Sequence, residues 1–299
     1  MTSAVPTTVR IREVGPRDGL QGESPLSVTD RVRLIEALAA TGVADIEAVA
    51  FVSPRAVPAM AQAGDVLAAL PRRPGVRYWA LVPNVRGAEL ALAAAVDGLT
   101  VTVSASEAYS GKNVAMSVQE SVAEAGRIAA RAGSVAVNAV ISCAFGSPFE
   151  GDIEASVVEG LAGQLLDGGA NTITLADTTG MATPSRIDAL LIATGNAVGL
   201  HLHDTRGTAL LNAYVALGRG LSQFDCAVGG LGGSPFAPGA GGNLATEDLV
   251  YLLDELGVET GVDLRSVLDA SALVAALVGH PVPSRVAQAG PRRSGHAVV

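Results

Sequence analysis

Aromatic side chains are scarce in this sequence of 299 residues. Phe, Trp and Tyr account for 3% of the residues, although 49% of the residues are hydrophobic. Single-stranded nucleic acids bind proteins largely by stacking their bases on aromatic rings, so this composition suits such a surface poorly. The core must instead consist mainly of Ala, Val and Leu, whose small aliphatic side chains suit tightly packed layers of strands and helices.

Positive charge is also scarce. The formal net charge is −9, and basic residues form no run longer than a pair such as Arg292 and Arg293. Nucleic acids and anionic membranes are bound through clusters of Lys and Arg, so we expect neither of them as a partner. An anionic small molecule is compatible with this balance if the positive charge is local or comes from a metal ion.

Cysteines and long apolar segments are few as well. Cys143 and Cys226 are the two cysteines, and their spacing matches neither a CxxC motif nor a zinc site, which favours reduced, buried thiols. Residues 1–8 are polar and too short for a signal peptide. The apolar segment 90–96 ends at Asp97 and is far shorter than the ~20 residues that span a bilayer. Together these features predict a soluble, cytoplasmic protein.

Short β-rich segments alternate with longer Ala- and Leu-rich helical patterns along most of the chain. The predicted strand–helix pairs are 9–14 with 30–40, 45–51 with 57–70, 76–82 with 88–95, 99–104 with 118–132, 135–142 with 153–166, 172–175 with 185–194, 199–203 with 208–218 and 223–228 with 245–256. Thr29 is the expected N-cap of the first helix. Such alternation is typical of βαβ units with a parallel sheet whose strands are apolar on both faces.

Eight such units favour a closed barrel over an open doubly wound sheet, which usually has fewer strands. No GxGxxG turn follows the first strand, so the dinucleotide-binding fingerprint is missing. The fold class is therefore predicted to be α/β, a (β/α)8 TIM barrel with extra C-terminal helices. We expect a single domain over residues 1–299, with the barrel at about 8–257, C-terminal helices at about 258–290 and a disordered tail at 291–299.

Polar residues cluster at the ends of the predicted strands, where the catalytic groups of such barrels lie. They are Arg17 and Asp18 after the first strand, Glu47 in the second, Asp177 after the sixth, His201 and His203 in the seventh, and Asn243 after the glycine-rich segment 229–242. The two histidines form the sharpest signal, because residues two apart on a strand point to the same side. An HxH pair alone is a weak motif. With Asp18 and Asn243 at the same face, it predicts a site for a divalent metal ion such as Mg²⁺, Mn²⁺ or Zn²⁺.

The roles of the other polar residues stay open at this level. Arg17 and Asp18 fit either a salt-bridged turn or a fixed cation placed where an enolate oxygen gains negative charge. Glu47 and Asp177 fit either a functional role or simple hydrogen bonding to nearby backbone amides. Lys112 is the single lysine beside 19 arginines and lies in the predicted loop after the fourth strand. It fits either a site that needs a compact ammonium group or a solvated surface.

Six segments carry a resemblance to a known family. They are VGPRDGLQ at 14–21, FVSP at 51–54, SCAFGSPFEG at 142–151, ADTTG at 176–180, HLHDTRG at 201–207 and GGLGGSPFAPGAGGNLATEDLVYLL at 229–253. In these segments and in their order, from residue 14 to about residue 287, the chain resembles the 3-hydroxy-3-methylglutaryl-CoA lyase family of metal-dependent barrels.

The resemblance implies which residues carry the chemistry. The implied ligands of Mg²⁺ or Mn²⁺ are Asp18, His201, His203 and Asn243. The implied catalytic residues are Arg17, Asp18, Glu47, Asp177, His201 and Ser234, and those implied to bind substrate or CoA are Arg17, Gln21, Lys112 and Asn113. The implied reaction is a retro-aldol cleavage, in which a base takes the hydroxyl proton and Arg17 stabilises the enolate of acetyl-CoA.

Two positions depart from the family pattern. The lyases carry a catalytic cysteine in the glycine-rich segment, within GGC-P-[FY], and this chain has Ser234 there. A thiol titrates near pH 8.5, whereas an aliphatic hydroxyl is far less acidic, so we expect either slow turnover of 3-hydroxy-3-methylglutaryl-CoA or a different substrate. Arg206 also stands where the lyases usually have tyrosine.

Three functions are therefore compatible with the sequence. The first is a carbon–carbon lyase acting on 3-hydroxy-3-methylglutaryl-CoA or a related 3-hydroxy-3-carboxyalkyl-CoA thioester. The second is an acyl-CoA-condensing synthase of the same barrel group, which the gapless match to the lyase loop disfavours. The third is a weakly active ligand-binding homologue, suggested by Ser234 but disfavoured by the metal ligands. A homodimer is expected from family analogy alone.

Overall fold

Eight parallel strands close into a barrel in the order β1 to β8, with β1 paired to β8. The computed structural model describes residues 5–233 and 241–292. The strands are β1 (Arg10–Glu13), β2 (Asp45–Ala50), β3 (Arg77–Leu81), β4 (Gly98–Ser104), β5 (Ala136–Ser142), β6 (Thr172–Ala176), β7 (Gly199–His201) and β8 (Gln223–Cys226). The predicted (β/α)8 TIM barrel is confirmed.

Helices surround the barrel and extend beyond it. They are α1 (Val28–Ala39), α2 (Ala63–Ala69), α3 (Val85–Ala93), α4 (Glu107–Val114), α5 (Val118–Ala132), α6 (Ala155–Asp167), α7 (Pro184–Thr194), α8 (Ala209–Gly218), α9 (Thr246–Glu255), α10 (Leu264–Val278) and α11 (Arg285–Ala289). The last two are the extra C-terminal helices. Of the tail predicted at 291–299, residues 293–299 lie outside the described part of the chain. Among the described residues, no helix is long and apolar enough to cross a membrane.

Three predicted segments differ from the structure. Helix α1 is capped by Ser27 and not by Thr29, because the Ser27 hydroxyl accepts the Asp30 N–H at 3.1 Å. The helix predicted at 57–70 is divided, since Gln62 adopts a left-handed conformation with φ of 59° between a 3₁₀ turn and α2. Lys112 lies in helix α4 and not in a loop; Ser106 caps this helix by accepting the Tyr109 N–H.

The N-terminal ends of the strands form what we call the floor of the barrel, and its centre is Asp45. This carboxylate is 2% exposed and accepts hydrogen bonds from Arg10 Nε at 2.6 Å, Arg77 Nε at 2.8 Å and Trp79 Nε1 at 2.7 Å. Both of its oxygens therefore have partners. Small and branched side chains such as Ile46 and Leu200 fill the space between the strands and the helices.

Candidate active site

The loop after β1 makes one tight π-helical turn, Gly15–Gly19, at the C-terminal end of the barrel, which we call the mouth. The backbone amides of Arg17, Asp18 and Gly19 all point at the Val14 carbonyl. Gly15 has to be glycine, because a Cβ atom there would lie 2.6 Å from Glu13 Oε1. Isolated π-helical turns are frequent at functional sites, and this one places Arg17 and Asp18 side by side over the barrel.

Arg17 and Asp18 form a buried charge network with Glu47. Arg17 donates through Nε to Glu47 and through Nη1 to Asp18 Oδ1 at 2.6 Å, and Gln21 Nε2 donates to the same Asp18 oxygen at 2.9 Å. Burial favours the neutral acid, but the charge of Arg17 and the nearby imidazoles outweigh it and hold the pKa of Asp18 well below its usual range. Asp18 is therefore an anion throughout the working range of pH.

The two predicted histidines face each other at the end of β7, which stops at His201 instead of reaching His203 as predicted. Their Nε2 atoms are 3.2 Å apart. His201 Nδ1 lies 3.4 Å from Asp225 Oδ2, and His203 Nδ1 lies 3.2 Å from the Gly241 carbonyl oxygen. Both of these partners are acceptors, so each neutral ring carries its hydrogen on Nδ1 and directs the lone pair of Nε2 at the other ring.

Two lone pairs at this distance need a positive charge between them. Despite burial, the bond to Asp225 and the charge of Asp18 raise the pKa of His201. Burial and the charge of His201 lower the pKa of His203 to about 4. The two imidazoles together therefore bind one proton readily and resist binding a second. One oxygen of Asp18 and the ring nitrogens lie within 4.8 Å of one another, as metal ligands must.

Asn243 completes the cluster. Its Nδ2 donates to Asp18 Oδ2 at 2.7 Å and to the Leu231 carbonyl at 2.8 Å, and its backbone bridges to that of His203. Its Oδ1 is buried and has no hydrogen-bond partner among the described residues. An orphaned buried carbonyl costs free energy unless something binds it. The donor set of two imidazoles, one carboxylate and one amide oxygen therefore fits a divalent metal ion.

Arg12 and Asp225 support the histidines and were missed at the sequence level. Arg12 binds Asp225 with two hydrogen bonds, Nε to Oδ1 at 2.9 Å and Nη2 to Oδ2 at 2.6 Å. Since Asp225 in turn faces His201 Nδ1, the chain Arg12–Asp225–His201 fixes the tautomer and orientation of this imidazole. A charged residue inside a buried strand, Arg12 in β1 and Asp225 in β8, is the sequence signal that could have found them.

Several more polar atoms at the mouth lack partners within the described residues. They are Glu47 Oε1, Ser142 Oγ, Asp177 Oδ2 and Thr179 Oγ1. Asp177 uses its other oxygen to accept the N–H groups of Met181 at 2.6 Å and Ala182 at 2.9 Å. Burial raises the pKa of Asp177 to about 6. Uncommitted acceptors and hydroxyls around the metal-type cluster are what a polar substrate requires.

Of the other residues singled out from the sequence, Lys112, Asn113 and Arg206 lie in the described part of the chain. Lys112 and Asn113 are exposed on α4, and Lys112 Nζ sits 3.7 Å from the centre of the Phe149 ring. Ser234 falls in 234–240, outside the described residues. Arg206 Nη1 donates to the carbonyls of Thr179 at 3.0 Å and Gly180 at 2.6 Å, which joins the loops after β6 and β7.

The chain matches a known protein family over most of its length. The HMGL-like family model matches residues 8–274. The chain is 41% identical over 297 residues to the mitochondrial hydroxymethylglutaryl-CoA lyase of Gallus gallus, covering 97% of this chain and all of that one. It is 42% identical over 293 residues to the 3-hydroxy-3-isohexenylglutaryl-CoA/hydroxymethylglutaryl-CoA lyase of Pseudomonas aeruginosa, covering 95% of this chain and 98% of that one.

A solved structure extends the similarity to three dimensions. The HMG-CoA lyase of Acinetobacter baumannii, in complex with coenzyme A and 3-methylmalate, superposes with a TM-score of 0.94 at 38% identity, covering both chains completely. Family match, relatives and structure agree over nearly the entire chain, and the residues of the mouth lie in the matched region. The chain belongs to the 3-hydroxy-3-methylglutaryl-CoA lyase family.

Proposed function

We propose that this protein is a metal-dependent carbon–carbon lyase. It cleaves 3-hydroxy-3-methylglutaryl-CoA, or a related 3-hydroxy-3-carboxyalkyl-CoA thioester, to acetyl-CoA and a keto acid. The observation that carries the proposal is the set of inward-facing donors at the mouth: two imidazole Nε2 atoms 3.2 Å apart, the Asp18 carboxylate, and the orphaned Oδ1 of Asn243. The close relatives named as lyases for such thioesters support the reaction class.

Asp18, His201, His203 and Asn243 are the proposed ligands of the metal ion. The mixture of oxygen and imidazole donors favours Mg²⁺ or Mn²⁺ over a structural zinc, which usually has four closed nitrogen or sulfur ligands. When bound, the ion supplies Lewis-acid polarisation of the oxygens that it contacts. Asp225 and the Gly241 carbonyl keep both Nδ1 atoms protonated, so that both Nε2 lone pairs are available to it.

Arg17 is the proposed electrostatic partner of the developing enolate. Glu47 and Asp18 hold its Nε and Nη1, while Nη2 has no partner within the described residues. A guanidinium held on two sides needs no reorganisation when negative charge forms on the thioester oxygen. Asp177 is the proposed acceptor of the hydroxyl proton, because its Oδ2 is uncommitted and its pKa of about 6 suits a general base near neutral pH.

The direct test is a panel of 3-hydroxyacyl-CoA thioesters that differ in the C3 substituent, incubated with the protein and Mg²⁺ or Mn²⁺. We expect metal-dependent release of acetyl-CoA and its loss on chelation. Arg17→Gln should lower kcat about 10²-fold to 10³-fold, as removal of an oxyanion donor does. Arg72→Gln is the matched control, since Arg72 forms an exposed pair with Asp97. If the protein binds the thioesters but releases acetyl-CoA from none of them, the lyase proposal is wrong and the protein is a ligand-binding homologue.

Three further residues, Gln21, Lys112 and Asn113, are proposed to help bind the substrate. Gln21 binds Asp18 directly, so its contribution to substrate binding is through the network that positions this carboxylate. Lys112 and Asn113 are exposed on α4 and are proposed to meet the CoA moiety. Replacing each by alanine should raise KM for the thioester and leave kcat nearly constant, because remote contacts contribute equally to ground and transition states.

We further propose a cytoplasmic homodimer. Cys143 and Cys226 are both free and buried, which agrees with a reducing compartment. Large apolar side chains are exposed on two neighbouring helices, with Ile192 66% exposed on α7 and Leu211 and Tyr214 52% and 51% exposed on α8. A monomeric mass by light scattering at micromolar concentration would contradict the dimer.

A further inference from the structure

The buried side chain of Glu13 joins three segments that carry the candidate active site. Glu13 ends β1 and is 1% exposed. Its Oε1 accepts the N–H of Gly15 at 2.7 Å and the N–H of Val228 at 2.9 Å. Its Oε2 accepts the hydroxyl of Thr246 at 2.6 Å. One carboxylate therefore binds the turn after β1, the turn after β8 and the first residue of α9.

Two of the contacted residues, Gly15 and Thr246, lie two or three positions along the chain from residues that face the mouth. Gly15 opens the π-helical turn in which Arg17 and Asp18 follow. Thr246 comes three residues after Asn243, and the segment between them is short and buried. Since backbone atoms only two or three residues away have little freedom to move, a fixed Gly15 and a fixed Thr246 also fix the separation of Asp18 and Asn243.

Glu13 is tightly packed, and within the described part of the chain its hydrogen-bond partners are neutral groups. A Cβ atom at Gly15 would collide with Glu13 Oε1 at 2.6 Å and with Val228 Cγ1 at 3.0 Å. A second buried carboxylate, Glu247, acts on the charge of Glu13 and accepts the Gly229 N–H through both oxygens at 3.1 Å. Burial, reinforced by Glu247, raises the pKa of Glu13 to about 7.

We propose that Glu13 is a positioning residue that holds Asp18 and Asn243 at the separation that the metal site requires, by clamping Gly15, Val228 and Thr246 to one carboxylate. The inference rests on the proposed lyase function only for its kinetic readout. Glu13 itself touches neither substrate nor metal. Removing the clamp is expected to loosen the geometry of the site, and misplacement by about 1 Å costs about 10²-fold in rate.

Asp248, which lies in α9 like Thr246, offers a matched control. It is also a buried carboxylate that accepts one hydroxyl and two backbone N–H groups, from Ser284 at 2.7 Å, Arg285 at 3.2 Å and Val286 at 2.8 Å. These donors belong to the start of α11 and not to the mouth. Asp248→Ala removes the same set of hydrogen bonds as Glu13→Ala, and its donors meet the turn after β8 only through the Ser284 N–H, which donates to the Gly229 carbonyl at 3.0 Å.

The experiment compares full-length wild type, Glu13→Ala, Glu13→Gln and Asp248→Ala. We expect Glu13→Ala to lower kcat about 10²-fold with a small change in KM, and to weaken Mn²⁺ binding to the apoprotein at least about tenfold, as loss of outer-shell support does. Asp248→Ala should show a similar loss in thermal midpoint with kcat and Mn²⁺ affinity within about twofold of wild type. Glu13→Gln should restore most of the loss, because an amide oxygen accepts both N–H groups and its NH₂ donates to Thr246.

Equal kcat and equal Mn²⁺ affinity in folded Glu13→Ala and Asp248→Ala would overturn the inference, as would a Gln variant no better than Ala. If Glu13→Ala does not fold, Thr246→Val removes one of the three bonds and should lower Mn²⁺ affinity by a smaller factor; an unchanged affinity there also contradicts the clamp. A wild type without lyase activity would refute the proposed function alone, since the Mn²⁺ comparison needs no substrate.

Discussion

The floor and the mouth of the barrel bury charge to the same degree but treat it differently. At the floor, Asp45 is 2% exposed and both of its oxygens are hydrogen-bonded. At the mouth, Asp177 is 1% exposed and Glu47 is 0% exposed, and each has one oxygen without a partner within the described residues. The same fold thus completes its hydrogen bonds at one end and leaves them incomplete at the other.

The difference follows from what each end does. A buried polar atom that lacks a partner costs about 1–3 kcal/mol, so a floor built like the mouth would destabilise the barrel without benefit. At the mouth, the unpaired atoms are ready to bind a metal ion and a polar substrate, which return the missing interactions. Stability and activity should therefore respond separately to substitutions at the two ends.

The largest difference between the effect on activity and the effect on stability is expected for His203→Ala. Removing one of the two opposed Nε2 atoms should abolish Mn²⁺ binding and lower kcat/KM by at least about 10³-fold, since Lewis-acid contributions amount to several kcal/mol. The thermal midpoint of the metal-free protein should stay close to that of wild type, because alanine removes the need to hold a positive charge between the two buried rings. Calorimetry without metal and titration with Mn²⁺ check both parts. A large drop in the thermal midpoint of the metal-free protein would mean that the mouth contributes to stability as the floor does.

Glu13→Gln sharpens the comparison, because both oxygens of Glu13 have partners, like those of Asp45, but these partners among the described residues are neutral. Its pKa is raised from 4.5 to about 7 in the folded state, so the folded protein binds the proton more tightly than the unfolded chain. The contribution of Glu13 to the unfolding free energy is fully present below pH 4.5 and is lost as the pH rises to about 7. The unfolding free energy of wild type relative to Glu13→Gln should therefore fall by about 3 kcal/mol between pH 4.5 and pH 8. Urea titrations at both pH values measure it, and parallel pH profiles would contradict the assignment.

Asp45→Ala tests the floor. The substitution leaves Arg10, Arg77 and Trp79 without their common acceptor, and Arg10 and Arg77 remain partly solvated. We expect a loss of about 2–3 kcal/mol in unfolding free energy, in the range for hydrogen bonds to charged groups, with kcat within about twofold of wild type. Chemical denaturation and steady-state assays on the same preparation decide the matter. A tenfold drop in kcat of the folded variant would show that the two ends are coupled.

The smallest effect is expected for Ser234→Cys. If Ser234 occupies the proton-transfer position, the cysteine variant should turn over 3-hydroxy-3-methylglutaryl-CoA with a kcat at least about tenfold higher and nearly the same KM, because a thiol is the better acid. If serine instead suits another substrate, the variant gains nothing and Ser234→Ala keeps most of the activity on that substrate. Wild-type turnover of 3-hydroxy-3-methylglutaryl-CoA as fast as in the family's other lyases would exclude both versions.

The sequence predicted the features that depend on local pattern. The eight strands and the HxH pair follow from short-range alternation, and both were located correctly in the chain. Helix α4 escaped prediction because Ser110, Gly111 and Asn113 disfavour helix, and its formation depends on the cap that Ser106 provides. Lys112 was therefore assigned to a loop.

The supporting residues of the site could not be predicted in the same way. Arg12 binds Asp225 across 213 residues of chain, and Glu13 binds Thr246 across 233. Only the closed barrel brings these pairs together, so a charged residue in a strand can mark one member, but no local pattern predicts which residue it binds. The candidate ligands themselves were accessible to the sequence because motif and strand position mark each one separately.

The seam between β1 and β8 has a consequence for the order of events in folding. Asp18 and Asn243 are 225 residues apart, and the strands that carry the first and last parts of the site are those that close the barrel. A growing chain has no site until almost all of it has been synthesised, and a refolding chain has none until its two ends meet. Contacts of such long range form slowly. The appearance of metal binding during refolding therefore times the closure of the barrel, and no partly folded form can react with the thioester before that moment.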